Sequence, residues 1–216
     1  LLTALNEVTA RLAAKDSTLW GPAAQAEASI RLNWIDLPEA SRDLLPTLDA
    51  LSAWSRECGH KHFVLCGMGG SSLAPEVIAA VYQKELTVLD STDPEHVSAV
   101  LSRDLSRTCF IVGSKSGSTI ETASQKKAVE TELTKQGLDV SRHVVIVTDP
   151  GSPLDQESRA SGLRVINADP HVGGRFSALS AFGLTPAALI GVDISLLLDD
   201  ALDAARTFTE PNSPAA

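Results

Sequence analysis

Five short apolar runs alternate with helix-like segments from residue 62 onward. The runs read HFVLCG, LTVLD, TCFIVG, HVVIVTD and LRVINA. A continuous apolar run of about five residues is typical of a strand that is buried on both faces of a parallel sheet. Strands that alternate with helices in this way form a doubly wound sheet. We therefore predict an α/β fold with five parallel strands.

The first part of the chain carries a helical pattern instead. Apolar residues between Leu1 and Leu12 recur at spacings of three and four, as they do on one face of an amphipathic helix. Ser41 is expected to cap a second helix. We therefore divide the chain into an N-terminal helical segment, residues 1–60, and an α/β domain, residues 61–210.

Composition and charge narrow the range of partners. The formal net charge is −9, which argues against nucleic acid because a phosphate backbone needs a basic surface. No apolar run has the length of a membrane span, and no segment resembles a signal peptide. The cysteines Cys58, Cys66 and Cys109 are odd in number and are expected to stay reduced. We therefore expect a cytoplasmic protein that contacts no membrane.

The histidines and cysteines show no spacing that suggests zinc, so we expect no metal site. His60 and His62 flank a lysine just before the first predicted strand. Both are expected to face solvent.

The loop after the first strand reads CGMGGSSLAPE. Its glycines, Gly67 and Gly70 among them, let the backbone come close to a ligand. Ser71 and Ser72 follow at a helix N-terminus, where free N–H groups favour an anion. The loop is close to the dinucleotide fingerprint G-x-G-x-x-G, but Ser72 stands where the third glycine belongs. A tight turn with a capping serine is the alternative interpretation.

The loop after the third strand, within IVGSKSGSTIET, is rich in hydroxyl groups and contains one cation. The residues concerned are Ser114, Lys115, Ser116, Ser118 and Thr119. Ligand sites of open parallel sheets lie beyond the carboxyl ends of the strands, so this loop and the first one converge. The two loops together predict a phosphate cradle. Glu121, in the first turn of the next helix, is expected to cap that helix or to support a neighbouring donor.

The loop after the fifth strand reads DPHVGGRFS. Gly173 and Gly174 let the backbone approach a ligand, and Arg175 follows them directly. A guanidinium group can stabilise an oxyanion or a carboxylate through its fork of donors. An ion pair of Arg175 with Asp169 or Asp193 is the alternative.

Taken together, the three loops resemble the phosphoglucose isomerase family. The family pattern has a GIGGS-x-LGP loop, an SKTFTT-x-ET loop and a GGRxS signature, and this chain shows GMGGSSLAP, SKSGSTIET and GGRFS in the same order. The resemblance covers residues from about 60 to 190. It implies a sugar isomerase (SIS) domain, which is a flavodoxin-like five-stranded parallel sheet.

The resemblance also implies roles for single residues. The sugar phosphate would be bound by Ser71, Ser114, Lys115, Ser116 and Thr119. Arg175 would lie near the reacting carbons and stabilise the enediolate, which makes it the catalytic candidate. Gly70, Gly174 and Glu121 would support these groups.

The reaction implied by the resemblance is the interconversion of glucose 6-phosphate and fructose 6-phosphate through an enediolate, a step of glycolysis and gluconeogenesis. It needs no metal and no cofactor, its partner is a small sugar phosphate, and a homodimer is left open. The family's catalytic glutamate, ring-opening histidine and C-terminal lysine lie in the second half of the enzyme. We therefore expect this chain to be an N-terminal fragment that is inactive alone, and we assign no base to His171.

Two other functions remain open at this point. An SIS domain that binds a sugar phosphate for regulation would share the phosphate loops, but it has less need of the arginine in GGRFS. A nucleotide-dependent Rossmann enzyme is disfavoured by Ser72 and by the hydroxyl-rich second loop. A titration with NAD would test the latter.

Overall fold

The computed structural model describes residues 2–209 of the chain and contains a five-stranded sheet. Leu1, which begins the predicted N-terminal stripe, and residue 210, which ends the predicted α/β domain, lie outside the described residues. The strands are β1 (His62–Gly67), β2 (Thr87–Leu89), β3 (Thr108–Gly113), β4 (Val144–Thr148) and β5 (Arg164–Asn167). Their order is β2-β1-β3-β4-β5 and all pairs are parallel. This is the flavodoxin-like order, so the predicted fold class is confirmed.

Helices cover both faces of the sheet. They are α1 (Leu2–Ala13), α2 (Pro22–Arg31), α3 (Leu37–Ala40), α4 (Leu45–Cys58), α5 (Leu73–Val81), α6 (Pro94–Leu101), α7 (Ile120–Lys135), α8 (Pro153–Ala160), α9 (Ala181–Leu189) and α10 (Ile194–Thr209). The predicted N-terminal helices are therefore present. Within residues 2–209, no helix is both long enough and apolar enough to cross a bilayer.

Alternate residues of the central strands supply two core layers, because successive side chains of a strand point to opposite faces. The layer beneath α6, α7 and α8 contains Val64, Cys66, Phe110, Val112, Val144 and Ile146. The layer beneath α4 and α9 contains Leu65, Cys109, Ile111, Val145 and Val147. Burial on both faces explains why each of these strands reads as a continuous apolar run.

Cys66 and Cys109 are fully buried free thiols in opposite layers of the core. Burial raises the pKa of Cys66 to about 12, and it raises the pKa of Cys109 as well. Cys58, at the end of α4, is a partly exposed free thiol.

His60 is buried, with 6% of its surface exposed, so the prediction that it faces solvent is wrong. Its ring packs against the rings of Trp54 and His143, and Ser55 Oγ lies 3.1 Å from its Nδ1. Desolvation, assisted by His143, lowers the pKa of His60 to about 4. His62, two residues later, is exposed as predicted.

Ser41 does not cap the start of α4, contrary to the prediction; the N-cap residue of that helix is Leu44. Ser41 opens a short 3-10 turn, Ser41–Leu44, and α4 begins only after that turn. The buried Ser41 hydroxyl donates a hydrogen bond to the carbonyl oxygen of Leu179 at 2.5 Å. The hydroxyl therefore satisfies a distant loop instead of the start of its own helix.

Candidate functional site

The first loop folds over the carboxyl ends of two adjacent strands. Gly67 ends β1 and lies opposite Gly113, which ends β3. The Cβ atom of Ser71 is 3.3 Å from the position of a Cβ on Gly67 and 3.5 Å from that on Gly113. Within residues 2–209 the Ser71 hydroxyl has no hydrogen-bond partner, so it is available to a ligand at this edge of the sheet.

The second loop brings two hydroxyl groups to the N-terminus of α7. Ser114 is buried, and its Oγ donates a hydrogen bond to Oγ1 of Thr119 at 3.2 Å. Thr119 occupies the N-cap position of α7 but makes no side-chain cap to that helix. The free N–H groups of the first turn and the two hydroxyls together form an arrangement that suits an anion.

The rest of the second loop is a compact turn. Ser116 is exposed, and its Oγ accepts hydrogen bonds from the backbone N–H of Ser118 at 3.2 Å and from the Ser118 hydroxyl at 3.0 Å. Gly117 has a φ of +69°, and a Cβ there would lie 2.9 Å from the backbone nitrogen of Leu154. The loop is therefore pressed against the start of α8.

The Lys115 side chain connects three loops, and its ammonium group is not left unpaired. Its Nζ forms an ion pair with Asp149 Oδ2 at 2.6 Å and donates a hydrogen bond to the carbonyl oxygen of Pro170 at 3.2 Å. The loops after β3, β4 and β5 are thereby tied together. Asp149 neutralises the ammonium charge of Lys115, which is expected from the sequence to bind the phosphate.

The third loop lies directly on the first. A Cβ atom on Gly70 would collide with the carbonyl group of Gly174, whose carbon lies 2.7 Å from the Cβ position. The Ser177 hydroxyl donates hydrogen bonds to the carbonyl oxygens of Gly70 at 3.3 Å and of Gly174 at 2.7 Å. Gly70 and Gly174 thus place the GGRFS loop beside Ser71.

Arg175 follows this contact and is exposed. Across residues 2–209 its guanidinium forms no ion pair with Asp169, Asp193 or any other carboxylate, so the structure does not support the alternative interpretation. Arg175 lines an open cleft of about 360 Å³ together with Gly70, Gly174, Lys115 and Arg31. The guanidinium is therefore free to meet a ligand in that cleft.

The side chains of Glu121 and His171 make no comparable hydrogen bonds within the described residues. Glu121 lies in the first turn of α7, and in the described part of the chain its carboxylate accepts no hydrogen bond from a neighbouring donor. His171 is exposed, and only its backbone N–H is bonded, to Asp169 Oδ1 at 2.7 Å. The structure pairs Ser114 with Thr119 and places the loop of Arg175 against that of Ser71, whereas among the described residues the side chains of Glu121 and His171 make no hydrogen bond.

Asp149 and Thr148 are site residues that the sequence reasoning missed. The Thr148 hydroxyl donates a hydrogen bond to the carbonyl oxygen of Ser114 at 2.6 Å, and Asp149 holds Lys115. The available signal was their place directly after the fourth apolar run, since the loop after β4 reaches the same edge of the sheet.

Comparison with known proteins agrees with this geometry. The profile of the phosphoglucose isomerase family matches residues 42–214. A glucose-6-phosphate isomerase of Thermus thermophilus is 35% identical over 218 residues, with 96% of this chain and 48% of the relative covered. One from Synechococcus sp. JA-3-3Ab is 41% identical over 162 residues, with 69% and 30% covered. The chain thus spans half or less of the length of these relatives.

Solved structures give the same result. A hypothetical protein of Thermus thermophilus superimposes with a TM-score of 0.75 at 33% identity, over 97% of this chain and 49% of that one. A glucose-6-phosphate isomerase of Chlamydia trachomatis gives 0.69 at 28% identity, over 77% and 33%. With the three loop motifs assembled at one edge of the sheet, and the profile matched over most of the chain, this protein belongs to the phosphoglucose isomerase family.

Proposed function

We propose that this chain binds glucose 6-phosphate or fructose 6-phosphate and takes part in their interconversion as an aldose–ketose isomerase. The observation that carries the proposal is the convergence of three loops at the carboxyl edge of the sheet. The loops of Ser71, of the Ser114–Thr119 pair and of Arg175 all follow strands at that edge, and the contact between Gly70 and Gly174 joins the first of these loops to the third.

The phosphate group would be bound at the N-terminus of α7. Ser71, Ser114, Ser116 and Thr119 supply hydroxyl donors, and the first-turn N–H groups add the favourable end of the helix dipole. Lys115 contributes by fixing the loop through Asp149. A phosphate held away from the reacting carbons would orient the open-chain sugar, so that the proton moves along a short path.

Arg175 would act at the other end of the substrate. Aldose–ketose isomerisation moves a proton between C2 and C1, and negative charge develops on the enediolate oxygen. A guanidinium without a carboxylate partner among the described residues can stabilise that charge through its fork of donors. The proposal assigns the proton-moving base to no residue of 2–209, so the chain alone is expected to bind the sugar phosphate without turning it over.

The proposals for the location, partner and domain division of the protein come from the sequence. We propose a cytoplasmic protein whose partner is a small sugar phosphate, and the assembly as a homodimer stays open. The division into a helical segment, residues 1–60, and an SIS domain, residues 61–210, is likewise a proposal.

Calorimetric titration tests the proposal. The chain is titrated with fructose 6-phosphate and with unphosphorylated fructose, and the titrations are repeated with Ser114→Ala plus Thr119→Ala. We expect heat only with the phosphorylated sugar and a loss of affinity of about tenfold or more in the double variant. Fructose that binds as well as its phosphate, or a chain that binds neither, would contradict the proposed site.

A matched control is Ser124→Ala plus Thr131→Ala, also on α7. These hydroxyls donate hydrogen bonds to backbone carbonyls of their own helix, those of Ile120 and Lys127. Both are exposed, and they follow the first turn of α7, whose free N–H groups are proposed to bind the phosphate. The control variant is expected to keep the affinity of the unmodified chain.

A further inference from the structure

Four consecutive residues of the N-terminal segment, 31–34, each contact the loop that carries Arg175. We name residues 31–34 the anchor segment and residues 169–176 the arginine loop. The contacts are a hydrogen bond from Arg31 to the carbonyl oxygen of Pro170 at 2.9 Å, an antiparallel bridge of Leu32 with Val172, a hydrogen bond from Asn33 Nδ2 to Asp169 Oδ2 at 2.8 Å, and a stack of Trp34 on Phe176.

The stack is the contact next to the functional group. The rings of Trp34 and Phe176 are 5.1 Å apart at an interplanar angle of 17°, and Phe176 directly follows Arg175. Phe176 also lies against Gly173, where a Cβ would be 3.3 Å from the ring. Phe176 therefore contacts both Trp34 and the backbone of its own loop.

Asn33 holds the opposite end of the arginine loop. Its Oδ1 accepts a hydrogen bond from Lys15 Nζ at 3.3 Å, which orients the amide so that Nδ2 donates to Asp169. The second carboxylate oxygen of Asp169 accepts the backbone N–H of His171 at 2.7 Å. Both ends of the loop are thus attached to the anchor segment.

Arg175 has no ion pair of its own among the described residues, so the backbone of its loop sets the point from which the guanidinium extends into the cleft. We propose that Asn33 and Trp34 are positioning residues for Arg175. The inference rests on the proposed function, because it assumes that Arg175 meets the sugar. The hydroxyls of Ser71 and Ser114, which bind the phosphate in the proposed function, make no hydrogen bond to the anchor segment in the described part of the chain, so we expect them to depend on it less than Arg175 does.

The test separates sugar recognition from phosphate recognition. The 216-residue chain and its Trp34→Leu variant are titrated with fructose 6-phosphate and with inorganic phosphate. We expect Trp34→Leu to weaken binding of the sugar phosphate about tenfold, and binding of inorganic phosphate by less than about twofold. Trp34→Phe, which restores an aromatic stack, is expected to recover the affinity. An equal loss for both ligands, or no recovery, overturns the inference.

Trp20→Leu is the matched control. Trp20 lines the neighbouring apolar cleft together with Trp34, but within the described residues it stacks on no ring of the arginine loop. Its replacement is expected to leave both affinities unchanged. A loss as large as that of Trp34→Leu would assign the effect to the cleft wall and overturn the positioning role.

Arg175→Ala distinguishes this inference from the proposed function. If Arg175→Ala binds fructose 6-phosphate as well as the unmodified chain, Arg175 does not contact the bound sugar, and the positioning inference is overturned without deciding the role of Arg175 at the enediolate. If it loses affinity while Trp34→Leu does not, only the positioning role is wrong. In the supporting result, the double variant Trp34→Leu plus Arg175→Ala loses no more affinity than Arg175→Ala alone.

Amide hydrogen exchange provides a readout that needs no ligand. Trp34→Leu is expected to speed exchange in residues 169–176 more than in residues 114–119, since only the former contact the anchor segment directly. Unchanged exchange in residues 169–176 would overturn the inference even if the chain bound no sugar phosphate.

Discussion

The carbonyl group of Gly174 occupies the space that a side chain on Gly70 would need. The two glycines are far apart in sequence, yet their backbones touch because Gly70 has no Cβ. Without this contact, the loop that carries Arg175 would stand away from Ser71. The geometry of the candidate site therefore depends on one missing methyl group.

Gly70→Ala should destabilise the chain, because the added Cβ would collide with the Gly174 carbonyl group and one of the two loops must move. We expect a loss of about 1–3 kcal/mol in the free energy of unfolding. Urea denaturation measures it. The control is Gly174→Ala, whose Cβ would meet nothing within 4 Å and which should change the free energy by about 0.5 kcal/mol or less. Equal losses in the two variants would contradict the close approach.

Gly117→Ala should cost more than another glycine substitution with the same backbone strain. Gly117 and Gly137 have φ values of +69° and +72°, but only the Cβ at Gly117 would meet other atoms, at 2.9 Å. We expect Gly137→Ala to cost about 1 kcal/mol and Gly117→Ala about 1–3 kcal/mol more. Thermal denaturation of both variants checks this. A similar melting temperature for the two would show that the loop is not pressed against α8.

Lys115→Met should destabilise the edge of the sheet, because Asp149 would lose its only ion-pair partner within the described residues. The two side chains are 23% and 19% exposed, so we expect a loss of about 1–2 kcal/mol. Lys135→Met is the control, since that side chain is 74% exposed in its pair with Glu132 and should contribute about 0.5 kcal/mol or less. Chemical denaturation compares the two variants. A Lys115→Met variant as stable as Lys135→Met would rule out a structural role for this pair.

Acid should destabilise the protein through His60. The pKa of His60 is about 4 when folded, against 6.5 for an unperturbed histidine, so the stabilising effect of its neutral form is complete above pH 6.5. Between pH 6.5 and about pH 4, the His60 imidazole binds a proton in the unfolded chain but stays largely neutral in the folded chain. The free energy of unfolding should therefore fall by up to about 3 kcal/mol over that interval.

Denaturation curves recorded from pH 7 to pH 4.5 check this expectation. His60→Gln should reduce the pH dependence, because the substituted side chain does not titrate. His62→Gln, at an exposed histidine, should leave it as it was. The same slope in all three proteins would exclude His60 as the source.

The sheet could be predicted closely from sequence because burial on both faces leaves a direct trace in it. β1 and β3 have the bounds of their apolar runs, and the edge strands β2 and β5 are shorter than theirs. The burial of the Ser41 and His60 side chains could not be predicted, because two of their partners, Leu179 and His143, are remote in sequence. Local pattern shows which residues suit a cap or a surface, but not which distant groups reach them.

The site divides in the same way. Ser71, Ser114 and Thr119 could be placed together because strands of a parallel sheet end at a common edge. The link between Asn33 and Asp169 spans 136 residues and carries no local signal, since an asparagine after a helix is ordinary. The contact between the predicted helical segment and the arginine loop therefore becomes visible only in the structure.

Because Cys66 and Cys109 point to opposite faces of the sheet, the reactivity of their thiols can report which face of the protein unfolds first. Only a thiolate reacts readily with alkylating reagents, and burial keeps both thiols protonated. Cys66 faces the layer beneath α6, α7 and α8, whereas Cys109 faces the layer beneath α4 and α9. Modification of one thiol before the other would therefore reveal which side of the sheet is the first to lose its helices.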